Sequence, residues 1–156
     1  MADIVVDTHI LVDIIAQFDP QKSLFRLYHN EVLNPELTQR LNQLIFHDGE
    51  IGLIVASSFA LMEIVNKFDE IASGKFKTER FYSFINQPPQ WFLVEEISKN
   101  LAFELIKVSK TTPNGFNVEN ADALHVSTCY VRGNNTRLAT NDETILDLCS
   151  YNSLTK

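Results

Sequence analysis

Ile4-Val5-Val6-Asp7-Thr8-His9 is the stretch on which the reading of this chain turns. Three β-branched apolar residues in a row predict a short buried strand. The polar pair Asp7-Thr8 interrupts it, and Ile10, Leu11, Ile14 and Ile15 then follow at helical spacing. A strand over about 3–7 therefore runs straight into a helix over about 9–18. Asp7 is left at the C-terminal end of that strand, the edge at which open parallel sheets bind their ligands.

The rest of the chain repeats this alternation. Ile51 to Ala56 reads as a second buried strand, Trp91 to Val94 as a third and Arg137 to Thr140 as a fourth, with 152–156 as a candidate fifth. Between the first two strands, Leu24, Phe25, Leu27 and Tyr28 predict a short helix over 21–30. Asn34-Pro35-Glu36 then opens another helix, with Asn as cap, Pro in the first turn and an acid beside it, closed by Asp48-Gly49. Ser57 or Ser58 caps a helix ending at Gly74, and a further helix reaches Ile85 before Pro88-Pro89. Ser98 caps a helix through about Lys110, 111–117 is a loop, Asn120 caps a helix stopped by Gly133, and Asn141 or Asp142 opens the last. Strands alternating with helices predict an α/β fold: one domain over 1–156, a central mostly parallel sheet of four to five strands, and helices on both faces.

Composition narrows the function classes. With 45% hydrophobic and 21% charged residues the chain belongs with globular proteins. No apolar run is long enough to span a bilayer, and the opening Met-Ala-Asp lacks the layout of a signal peptide, so no membrane partner and a cytoplasmic location are expected. Cys129 and Cys149 sit in apolar helical patterns without metal-ligand spacing, as buried thiols do. Thirteen basic against 20 acidic residues give −7, which argues against a general salt-driven nucleic-acid binder. An enzyme that holds phosphates through a metal ion is compatible with that charge.

Four acids stand at strand ends or early in the following helix: Asp7, Glu63, Asp122 and Asp142. Singly, each has a plain structural reading. Asp7 and Asp142 suit N-caps, Asp122 a first-turn acid, and Glu63 a solvated helix face. Together they say more. Glu63 interrupts the apolar run Leu61-Met62-Glu63-Ile64-Val65, and Asp122 is hemmed in by Ala121, Ala123 and Leu124. Carboxylates partly buried in such company are costly without a cation or donors. Crowded carboxylates repel, and oxygen-only donors select a hard cation, Mg²⁺ or Mn²⁺.

Val-Asp-Thr-His-Ile-Leu, Ser-Ser-Phe-Ala-Leu-Met-Glu, Ala-Asp-Ala-Leu-His-Val and Leu-Ala-Thr-Asn-Asp, in that order, resemble the four motifs of PIN-domain ribonucleases. Among these, the VapC-like toxins of bacterial toxin–antitoxin pairs are similar in size. The resemblance runs from the first strand to the last helix. It implies a PIN-like three-layer fold and a Mg²⁺- or Mn²⁺-dependent endoribonuclease whose acids are Asp7, Glu63, Asp122 and Asp142. It also implies an RNA substrate, a protein antitoxin and a homodimer. Thr140 matches the family's supporting hydroxyl and Thr8 follows the first acid. The chain departs from the family at His9, where Asn is common, and in its longer 20–50 segment.

Other residues carry weaker signals. His125 lies one turn beyond Asp122, a candidate substrate contact or a helical histidine satisfied within the fold. Lys67, Lys75, Lys77 and Arg80 form the densest basic stretch, suited to an RNA backbone or simply to solvent. Phe25, Tyr28, Phe81, Tyr82 and Phe84 suit base stacking, but at helical spacing they more often pack a core. There is no Gly-rich phosphate loop and no nucleophile elbow. Two rivals follow: a PIN-like binding module without catalysis, and a receiver-type phosphoacceptor. The latter needs adjacent acids after the first strand and a lysine after a late strand, and has neither.

Overall fold

The computed structural model describes residues 2–19, 24–25, 39, 42, 51–110, 120–133 and 136–139. Four strands, β1 (Ala2–Val6), β4 (Ile51–Ser57), β5 (Phe92–Glu95) and β6 (Thr136–Ala139), form one sheet in the order β5-β4-β1-β6. Every pairing in it is parallel. The chain steps outward from β1 to β4 to β5, then returns to place β6 on the other side of β1. Strand order thus reverses between β1 and β6, the switch point at which α/β sheets open a crevice.

The helices are α1 (Thr8–Gln17), α2 (Ser58–Asn66), α3 (Phe68–Ile71), α4 (Thr78–Asn86), α5 (Lys99–Lys110) and α6 (Asn120–Arg132). α1 packs against α2 and α4, while α5 packs on α6, which in turn contacts β1, β4 and β6. Side-chain parity explains the layering. Val6, Ile54, Ala56 and Phe92 share one core cluster with Leu11, Ile14, Ala60, Ile64, Phe81 and Phe84 of the helices. Val5 and Val55 have the opposite parity, stand outside that cluster, and are also fully buried. A strand buried on both faces reads as a continuous apolar run, as Ile4-Val5-Val6 does.

Helix boundaries follow local chemistry. The Ser57 hydroxyl accepts from the Ala60 N–H at 3.2 Å and the Ser98 hydroxyl from the Leu101 N–H at 3.2 Å, each supplying an orphan first-turn donor with a partner. Gly133 closes α6 at φ +100°, a backbone conformation a side chain would disfavour, with its N–H donating to the Cys129 carbonyl at 3.1 Å.

Three expectations are corrected or refined. Leu24–Phe25, expected within a helix over 21–30, is a strand (β3) that pairs antiparallel with Phe18–Asp19 (β2). The helix expected to run to Gly74 breaks at Lys67 into α2 and α3. Among the described residues every strand pairing of the four-stranded sheet is parallel. The candidate fifth strand at 152–156, the loop at 111–117 and the last helix from Asn141 or Asp142 lie outside the described residues. So does most of the helix expected from Asn34, of which Gln39 and Asn42 are described and helical.

Two arginines fasten distant parts of the fold. Arg80 of α4 reaches the C-terminal end of α1, with Nε donating to the Ile15 carbonyl at 2.7 Å and Nη2 to those of Ala16, at 3.1 Å, and Phe18. These are carbonyls that the ending helix leaves without intrahelical partners. Arg132, at the end of α6, forks between Glu95 (2.8 Å) and Asp3 (2.7 Å). Burial alone would lower its pKa, but the hydrogen bonds and charges of Asp3 and Glu95 outweigh that and hold it above its ordinary value. No helix among the described residues is long and apolar enough to cross a membrane.

Candidate active site

Asp7 leaves β1 and immediately caps α1. Its backbone is extended (φ −76°, ψ 176°), and its Oδ1 accepts from the Ile10 N–H at 2.8 Å. The cap reading and the site reading of Asp7 are compatible, because a cap at this point fixes a carboxylate at the C-terminal edge of the sheet. Only 5% of Asp7 is exposed.

Glu63 joins it from the middle of α2. The Thr8 hydroxyl, itself buried, donates to Glu63 Oε1 at 2.6 Å across 55 positions of sequence. The Glu63 side chain is 21% exposed, and its Oε2 lies 3.9 Å from Lys67 Nζ one helical turn on. Glu63 is thus tied to Thr8, the residue that follows Asp7 at the end of the central strand.

The other predicted residues are placed less completely. Asp122 lies in the first turn of α6. A helix that feeds a parallel strand through a short connection runs opposite to that strand, so the start of α6 lies toward the same C-terminal edge. His125 follows on α6 and is 3% exposed, inside the fold and not on an accessible surface. Thr140 and Asp142 lie outside the described residues; the strand leading to them ends at Ala139, in register with Val6 and so next to Asp7.

Asp7 and Glu63 offer only oxygen donors, the chemistry of a hard divalent cation. Among the described residues no group of three or more potential metal ligands converges.

The basic stretch does not serve as a unit. Arg80 is bonded to the end of α1, and Lys75 pairs with Asp13 at 2.7 Å. Phe81 and Phe84 are buried in the core, and Tyr82 is exposed. Cys129 is a buried free thiol, as its apolar surroundings predicted. In the sequence Lys67 stands as one of several lysines, and its spacing four residues after Glu63 is the signal that links it to that carboxylate.

Compared with models of known protein families and with curated proteins, the chain matches none.

Proposed function

We propose that this chain is a Mg²⁺- or Mn²⁺-dependent endoribonuclease with a PIN-like three-layer fold, acting as the toxin of a toxin–antitoxin pair. The observation that carries the reading is the Thr8–Glu63 hydrogen bond, which ties the Glu63 carboxylate to the residue that follows Asp7 at the switch point of a parallel sheet. The motif order supports it as well.

On this reading Asp7, Glu63, Asp122 and Asp142 hold the cation, directly or through water. When bound, such an ion acidifies a water for attack on the phosphodiester and neutralises the charge that builds on phosphorus. The chain's own residues set the geometry. Asp7 cannot swing away, because its Oδ1 is held by the first turn of α1. Thr8 fixes one oxygen of Glu63 and leaves Oε2 directed elsewhere. By the resemblance, Thr140 supplies the supporting hydroxyl, and His125, one turn beyond Asp122, is a supporting residue from within the fold. RNA is the substrate, and an antitoxin and a second copy of the chain are the protein partners.

A cleavage assay on single-stranded RNA tests this. The protein should cut internally in Mn²⁺ or Mg²⁺ and lose the activity in EDTA, with recovery on adding the ion back. Undiminished cutting in EDTA would reject the metal. No cutting under either condition would reject the nuclease and leave the binding module.

A further inference from the structure

We infer that Lys67 is a substrate-binding residue that contacts an RNA phosphate at the mouth of the candidate site; this rests on the nuclease reading above. Lys67 is the residue at which α2 ends, its N–H donating to the Glu63 carbonyl at 2.9 Å. Its side chain is 56% exposed and its ammonium stands 3.9 Å from Glu63 Oε2. That separation exceeds the length of a charge-assisted hydrogen bond, and an exposed pair one turn apart on a helix contributes little to stability. Glu63 does not depend on it for orientation, because Thr8 already holds Oε1 at 2.6 Å.

The ammonium is therefore only loosely engaged, next to a carboxylate of the site. A phosphodiester approaching Asp7 and Glu63 meets two negative charges in a protein of net charge −7, and a cation at that point offsets the repulsion. Three other described cations are engaged elsewhere in the fold: Arg80 at the end of α1, Lys75 with Asp13, and Arg132 with Asp3 and Glu95. A lysine binds phosphate as a point charge without base preference, so Lys67 should add affinity and not sequence selectivity.

The experiment uses a 20-nucleotide single-stranded RNA and the parent, Lys67→Ala, Lys67→Arg and Lys67→Glu proteins. Affinity is measured in EDTA over a series of salt concentrations, and kcat and KM in Mn²⁺. Lys67→Ala should weaken both affinity and KM roughly tenfold, the size of one charge-assisted contact. The slope of log K against log salt should fall by about 0.7, one phosphate on a single strand. Lys67→Arg should bind like the parent and Lys67→Glu more weakly than Lys67→Ala, with kcat and melting temperature unchanged. Unchanged affinity and salt slope in Lys67→Ala would overturn the inference, as would a fall in kcat at constant KM, which would make Lys67 a support for Glu63. RNA affinity that depends on Lys67 in a parent that cuts nothing would uphold the contact and reject the nuclease.

Discussion

Asp7→Asn protein is expected to fold like the parent and to lose RNA cleavage. Folding survives because Asn caps a helix as well as Asp does, and the Oδ1 that accepts from the Ile10 N–H is retained. Activity does not survive, because a neutral amide is a far weaker ligand for a hard cation and leaves the attacking water poorly acidified. The loss in kcat should exceed about a hundredfold, beyond the 10–100-fold cost typical of groups that merely support a ligand. Initial rates at saturating Mn²⁺, beside thermal melts of both proteins, measure this. Rates within a few-fold of the parent would contradict the assignment of Asp7.

The second large effect concerns stability. Arg80→Ala should lower the melting temperature without touching the site chemistry. Arg80 donates to the carbonyls of Ile15, Ala16 and Phe18 at the far end of the helix that Asp7 begins. Ile15, Ala16 and Phe18 are all buried, so water replaces these bonds poorly. With hydrogen bonds to a charged group contributing roughly 1.5–3 kcal/mol each, and partial rehydration offsetting part of that, the cost is about 3 kcal/mol. For a domain of this size that is a fall of roughly 6–12 °C. Arg80→Lys should recover little, since one ammonium cannot reproduce a planar fork that serves three carbonyls. A change of about 1 °C or less, or full rescue by lysine, would show that the clamp is dispensable.

What the sequence reveals is what depends on near neighbours. Ile4-Val5-Val6 betrays a buried strand by composition, and Ser57, Ser98 and Gly133 mark helix ends because capping is chemistry over three or four residues. Leu24–Phe25 misleads because its apolar spacing fits helix and strand alike; antiparallel pairing with Phe18–Asp19, which precedes the stretch read as a helix, selects the strand. The run through Met62 and Val65 looks continuously apolar, yet both side chains are exposed while Glu63 is the one drawn in toward Thr8. Arg80 and Arg132 reach partners 62–65, 37 and 129 positions away, so nothing beside them in the chain announces their roles. The pairing of Asp7 with Glu63 is intermediate: each carboxylate is conspicuous in its own motif, but only the fold shows that Thr8 joins them.

The central claim is that these acids form a divalent-cation site, and thermal melting in a Mn²⁺ titration tests it most directly. An ion that binds only the folded state stabilises it by about 2.7 kcal/mol at a hundredfold excess over its dissociation constant. In a domain of this size the melting temperature should rise by roughly 5–10 °C. Asp7→Asn and Asp142→Asn should each blunt that rise, while Glu70→Gln, at an exposed acid of α3, should leave it intact. A melting temperature that ignores Mn²⁺, or a rise that survives both Asp7→Asn and Asp142→Asn, would contradict the claim.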